Sequence, residues 1–444
     1  MPAPDSDSVR ATIAYPAPVP AGPVPLQLLP DTASIDDGGG LTIGGVALTD
    51  LAATYGTPLF VYDEAHLRNR CREAVEAFGA GNVTYASKAF LCTAMARLAH
   101  EEGLTIDVAT GGELHVALAA GVPGRRIVLH GNNKSPAELR QGVVAGVHRI
   151  VVDSFDELDR LDRLHAEGLP VPRILLRVTP GVHAHTHEFI ATGQDDSKFG
   201  FTVSTGAAAT AIARVQASAS VELTGLHCHI GSNVFAVESF ARAAKVMADL
   251  ANPLGLPELV LGGGLGVAYV EGEEAPTLAA WGNVMARACR EAGVRSRVMV
   301  EPGRSLVASA GVTLYSVGTI KHLPGIRSYV AVDGGMSDNP RPVLYGSGYE
   351  AFLPRAVGAP RPQVARLVGK HCESGDILIF DAQLPADLAV DDVLCTPVTG
   401  AYGYTMASNY NKVPRPAVVF VRDGEARLVV RRETYDDLVR CDVG

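Results

Sequence analysis

Positive charge is scarce in this chain. Its 444 residues carry 38 lysines and arginines against 48 acids, a formal net charge of −10, and no basic run breaks the balance. A nucleic-acid-binding role needs a positive face for phosphates and is disfavoured. Long apolar runs are missing as well, so no stretch is expected to cross a bilayer. The seven cysteines (Cys71, Cys92, Cys228, Cys289, Cys372, Cys395, Cys441) are scattered, odd in number and never spaced C-x-x-C. That argues against a disulfide framework and a zinc ribbon, and for a reducing cytoplasm. The N-terminal stretch lacks a basic lead and is broken by prolines. It reads as a flexible tail over 1–38 rather than a secretion signal.

What is present is a repeat of form. Between Val83 and Val300, a short β-branched run, a polar or glycine-rich break and a helix-like stretch recur eight times. The runs are 83–86, 105–108, 127–130, 149–152, 174–178, 223–227, 258–261 and 297–300. Runs of this make-up read as strands buried on both faces, and strand–helix alternation of this length predicts a parallel (β/α)8 TIM barrel over 53–308. Helix-like segments cover 64–78, 112–120, 135–145, 154–167, 205–217, 237–251 and 278–292. Ser135 with Glu138, and Ser154 with Glu157, match capping boxes. The loop at 179–200 is unusually long, and loops of that length inside a domain are usually functional. Beyond Arg304 the pattern turns to strands at 312–320, 328–332, 365–369, 376–380, 392–397, 417–422 and 425–431. This predicts a mostly antiparallel β domain over 309–444, completed by 39–52.

Barrels of this kind carry their chemistry where the strands end. Residues expected there are Lys88, Asp107, His130, Arg177, His227, His229, 262–264, Glu301 and Arg304. A lysine among apolar neighbours can be desolvated and form a Schiff base, although Lys88 taken alone reads more readily as an ordinary surface lysine. Gly262-Gly263-Gly264 offers bare backbone N–H groups to a phosphate, or is simply a tight turn. Glu301 could keep a pyridine nitrogen protonated, or pair with Arg304 on the rim. His227 and His229, with His183, His185 and His187, raise a zinc reading. No carboxylate or thiolate stands at a familiar spacing to support it. Cys372, in a polar turn beside acids, is plausible as a reactive thiol.

In order along the chain, these motifs resemble the pyridoxal-phosphate decarboxylases built on an alanine-racemase-like barrel. The carriers are Tyr85-Ala86-Ser87-Lys88-Ala89, His130-Gly131-Asn132-Asn133-Lys134-Ser135, His227-Cys228-His229-Ile230-Gly231-Ser232, the triple glycine, Glu301-Pro302-Gly303-Arg304, the 333–341 segment, Cys372-Glu373-Ser374-Gly375-Asp376 and Gly400-Ala401-Tyr402. The resemblance spans about residue 41 to the C-terminus. It implies pyridoxal 5′-phosphate as cofactor, no metal, and decarboxylation of meso-2,6-diaminopimelate to L-lysine, the last step of lysine biosynthesis. A paralogous decarboxylase acting on another amino acid, free or carrier-bound, is the alternative. By position, Lys88 is implied as the cofactor-anchoring lysine, Glu301 as the ring-nitrogen partner and His229 as the ring-stacking residue. Ser232, Gly263, Gly264 and Tyr402 are implied at the phosphate. Asp107, Gly303 and Arg304 complete the cofactor set. Arg304, Arg341, Tyr345, Glu373 and Tyr402 resemble the substrate-binding set, and Cys372 the proton donor, which in this family reaches the neighbouring subunit's site. The resemblance therefore implies a homodimer with shared active sites. Asn233, where many relatives carry Gln, is a small departure.

Overall fold

The computed structural model describes residues 22–182, 194–235 and 238–444. Eight parallel strands follow one another around a barrel in sequence order: Thr84–Ala86, Thr105–Val108, Ile127–Leu129, Arg149–Val152, Arg173–Thr179, Glu222–His227, Glu258–Val260 and Arg297–Met299. Each pairs in parallel with the next. A parallel bridge between Val83 and Val300 brings the first strand against the last. Sequential order is what short crossovers of one hand produce. The expected runs and the observed strands agree apart from their ends.

Interior strand residues Val128, Val151, Leu175, Val260 and Met299 form their own buried cluster. Arg149 and Glu258 open the fourth and seventh strands, and their side chains pair within the barrel, with Nε 2.7 Å from Oε2. A charge pair this deeply buried stands only because each partner satisfies the other. The polar residues at the opposite strand ends are thus separated from this pair by an apolar layer.

The expected helices form, with additions and one altered cap. Thr93–Glu101 fills the gap after the first strand, a helix outside the expected set. Ser135 caps Pro136–Val144 in a complete capping box. Ser154 caps Phe155–Ala166, but the Glu157 carboxylate turns away to the Asp153 N–H and to Lys134, whose Nζ lies 2.9 Å off.

The second sheet runs Ile377–Leu384, Gln363–Val368, Arg327–Val332, Gly311–Leu323, Leu59–Asp63, Ala417–Arg422, Glu425–Val430, with Val393–Thr396 also on Gly311–Leu323. Most pairings are antiparallel; two are parallel. The N-terminal strand in this sheet is Leu59–Asp63, within the stretch expected to belong to the barrel. Leu41–Ile43 pairs only with Ser34–Ile35 and Val46–Ala47. It still packs on the large sheet: Leu41, Ile43, Leu48 and Leu51 share a core with Leu59, Val61, Val312 and Val419. Val24 and Leu29 are buried in the same core, so the chain is already folded within the stretch read as a tail. No helix among the described residues is long and apolar enough to cross a membrane.

Candidate active site

A cavity of about 530 Å³ opens at the carboxyl ends of the barrel strands. Lys88 enters it from the short turn Ser87–Ala89, directly after the first strand. Ser87, Ala89 and Phe90 are buried around this turn while the lysine side chain is exposed. The β domain fastens the turn from outside: Thr405 Oγ1 donates to the Lys88 carbonyl at 3.1 Å, and the Tyr402 N–H donates to the Ala89 carbonyl at 2.8 Å. The Lys88 ammonium itself makes no hydrogen bond or ion pair among the described residues.

Backbone lines the next part of the wall because side chains would not fit. A Cβ on Gly263 would sit 1.9 Å from the Glu301 carbonyl oxygen, and one on Gly264 2.0 Å from that of Gly231. Gly264 also has φ +108°, a conformation that L side chains rarely adopt. The Gly263 N–H donates to His229 Nδ1 at 3.3 Å. Close by, Arg304 Nη2 donates to Ser232 Oγ at 3.0 Å, Nη1 donates to the Tyr269 hydroxyl at 2.6 Å, and the guanidinium lies 4.8 Å from the Tyr402 ring centroid. Tyr402 reaches this place with φ 58°, outside the usual range for a side-chain-bearing residue.

Beside the glycines, Glu301 follows the eighth strand. His227 Nε2 lies 2.9 Å from its Oε2 and His130 Nε2 lies 3.1 Å from its Oε1. The rim pairing of Glu301 with Arg304 does not occur; the arginine is engaged with Tyr269 and Ser232 instead. Burial would push the Glu301 carboxyl up, but the two imidazoles hold it well below the usual carboxylate range. Burial also lowers the His227 imidazole to about 4, so it is neutral. His130 is pushed down by burial and lifted further by Asp107 and Glu301, ending above its usual value. Asp107 Oδ1 stands 3.9 Å from His130 Nε2, and burial raises its pKa. His229 is lowered well below the usual imidazole range by burial, then by Lys88 and Arg177. Arg177 lies over the Phe199 ring at 4.2 Å, its Nε 3.8 Å from Asp153.

Of the residues expected from the sequence, Lys88, Asp107, His229, Ser232, Gly264, Glu301, Gly303, Arg304, Tyr345 and Tyr402 line this one cavity. Gly263 lies against the Glu301 backbone. Arg341 is outside the wall: it is buried, stacked 4.2 Å over Tyr269, and donates to the Tyr349 hydroxyl at 2.5 Å. Cys372 and Glu373 are exposed on another loop, where Asn411 Oδ1 accepts the Cys372 N–H at 2.9 Å. His183, His185 and His187 lie outside the described residues. His130, His227 and Glu301 bring three candidate ligand atoms within 4.8 Å of one another. His227 and Glu301 meet in an ordinary hydrogen bond, and His130 lies at ion-pair distance from the other carboxylate oxygen. Sequence reasoning flagged each of these three at a strand end but did not join them. It passed over Tyr269 and Tyr349, which bridge the two arginines and carry no local signal beyond being aromatic.

Comparison with known proteins agrees with this geometry. Residues 64–308 match the pyridoxal-binding domain of the pyridoxal-dependent decarboxylases. Diaminopimelate decarboxylase of Mycobacterium tuberculosis (strain H37Rv) is 48% identical over 434 residues, which cover 93% of this chain and 97% of that protein. The Bacillus subtilis enzyme of the same name is 47% identical, covering 94% of this chain and 98% of its own. The crystal structure of diaminopimelate decarboxylase from M. jannaschii in complex with L-lysine superposes with a TM-score of 0.87 at 33% identity, over 93% of this chain and 98% of that one. With a lysine, a glycine cradle and an imidazole-held glutamate around one cavity, the chain belongs to the diaminopimelate decarboxylase family of pyridoxal-dependent decarboxylases.

Proposed function

We propose that this protein uses pyridoxal 5′-phosphate to convert meso-2,6-diaminopimelate to L-lysine and CO2. The observation that carries the reading is the convergence of Lys88 and Glu301 on one cavity of about 530 Å³, in a chain 48% identical to an enzyme of that name. The residues present fit the cofactor: a lysine amine for its aldehyde, a charged carboxylate for its ring nitrogen, and a glycine loop no side chain could enter for its phosphate. When bound, the cofactor supplies a carbonyl carbon that the substrate amine can take over from Lys88, and a ring that accepts the electron pair left by CO2.

The chain's own residues divide the remaining work. Glu301, kept ionised, accepts a hydrogen bond from the ring N–H. His229, neutral and half-buried, packs against the ring without adding charge. Ser232, Gly263, Gly264 and Tyr402 hold the phosphate, with Asp107 and Gly303 lining the same cavity. Arg304 and Arg341 take the distal carboxylate of the substrate, with Tyr345 beside them. Two arginines suit an acidic distal end better than the plain ammonium of ornithine. Cys372 Sγ delivers the proton that replaces CO2 at the α-carbon, and Glu373 takes the distal ammonium.

Cys372 and Glu373 stand outside their own chain's cavity, which supports a homodimer in which each copy completes the other's site. All seven cysteines are free, which supports work in a reducing cytoplasm. A small amino acid is the expected partner, with neither nucleic acid nor membrane. The test is a substrate panel. CO2 release from meso-diaminopimelate, with far less from ornithine, lysine or carrier-bound amino acids, is the expected result. Preference for another member of the panel would replace the substrate and leave the reaction class standing.

A further inference from the structure

Both oxygens of Glu301 face imidazole, but only His227 makes a hydrogen bond to it; His130 stands at ion-pair distance, its Nε2 without a hydrogen-bond partner among the described residues. His227 Nε2 is 2.9 Å from Oε2 and His130 Nε2 is 3.1 Å from Oε1. The three side chains are almost dry, with His227 1%, His130 7% and Glu301 8% exposed. The two rings meet edge to face, centroids 5.1 Å apart at 73°, so each restricts the other's rotation. His227 comes from the end of the sixth strand and His130 from just beyond the third, so the clamp ties three sectors of the barrel together. His227 Nδ1 has no hydrogen-bond partner among the described residues. With Nε2 on a carboxylate, the single proton of the neutral ring belongs on Nε2.

We propose that His227 is a positioning residue for the decarboxylation: its hydrogen bond to one Glu301 oxygen, with His130 packed against the other, keeps the carboxylate charged and aimed at the cofactor's ring nitrogen. This rests on reading the cavity as the pyridoxal-phosphate site. The reason is a competition for one proton. In a dry pocket a carboxylate facing a pyridinium can take its proton, since burial disfavours two charges. Hydrogen bonds donated to the carboxylate stabilise only its charged form and keep the proton on the ring. A protonated ring is the stronger electron sink. His227, neutral and buried, makes this donation without bringing a further charge. Among the described residues His130, Asp107, Arg177, His229, Cys228 and Lys88 are the other titratable groups around the clamp, and His130 faces the second Glu301 oxygen.

The test uses holoenzyme loaded with cofactor labelled with 15N in the ring, whose chemical shift reports protonation. Wild type and His227→Gln, whose amide reaches about as far as Nε2, are expected to show a protonated nitrogen. His227→Phe is expected to show a neutral one, with kcat down by roughly 10-fold or more, the scale of losing a partner that orients a ligand, and KM little changed. A protonated nitrogen in His227→Phe overturns the proposal. Should that variant fail to fold, the histidine 15N spectrum of the wild type decides: a proton on Nε2 of His227 is expected, and one on Nδ1 overturns the clamp. A stoichiometric metal ion retained by the wild type at these histidines would overturn it too. If wild-type protein takes up no cofactor, the reading of the cavity fails first.

Discussion

His227 Nε2 lies 2.9 Å from Glu301 Oε2, although 74 residues separate the two. The contact exists because the sixth and eighth strands deliver their last side chains into the same mouth. It leaves Glu301 charged in a buried place. Glu301→Gln keeps the shape and removes the charge, and is expected to lower kcat by about 10²-fold or more, the scale of losing one preorganised electrostatic partner. Cofactor affinity should fall far less. Steady-state kinetics at saturating cofactor check this, and an unchanged kcat would remove Glu301 from the chemistry.

The separation of Cys372 from Lys88 in one chain leads to a mixing experiment. Lys88→Ala and Cys372→Ala homodimers should each be nearly inactive. Subunit exchange between them should restore roughly one quarter of wild-type activity, because half the dimers are mixed and each holds one intact site. Failure to recover any activity would mean that each site is built from one chain.

Arg341 is linked to the cavity-lining Arg304 through Tyr269, over which it stacks at 4.2 Å and to which Arg304 donates at 2.6 Å. If it turns to the substrate's distal carboxylate, Arg341→Met loses a charge-assisted bond of about 2–3 kcal/mol. kcat/KM for diaminopimelate should then drop by roughly 30- to 150-fold. Full retention would assign Arg341 to packing alone.

Asp338 lies in the loop that precedes Arg341. Burial raises its pKa from 3.8 to about 7, against the Tyr315 hydroxyl and the Gly335 N–H that hydrogen-bond to it. The folded state therefore holds this proton more tightly than the unfolded chain. Its contribution is complete below about pH 4 and is lost as pH rises through 7, on the order of 4 kcal/mol at full extent. Denaturation curves of wild type and Asp338→Asn should diverge over that window, with the variant gaining relative stability toward pH 8. Parallel pH profiles would contradict this.

The barrel was readable because most of its strands are buried on both faces and announce themselves as short apolar runs. Leu59–Asp63 carries the same local signal, with all five residues buried. Its sheet is chosen by partners far along the chain, Gly311–Leu323 and Ala417–Arg422, and nothing local encodes that choice. The site divides in the same way. Lys88, Glu301 and the glycines were visible as residue types at strand ends. The pairing of Glu301 with His130 and His227 depends on how the barrel closes, and the Tyr269 bridge between two arginines depends on side-chain packing across separate loops. Cys372 stood out only as a thiol in a polar turn, and Glu373 only through the resemblance of its motif; nothing local says which cavity they serve.

The most direct measurement is turnover of meso-2,6-diaminopimelate with pyridoxal 5′-phosphate, following CO2 and lysine together in wild type and Lys88→Ala. The account predicts equal amounts of both products from the wild type and loss of turnover in the variant. A wild type that binds the cofactor yet releases neither product, or a Lys88→Ala variant as active as wild type, would contradict it.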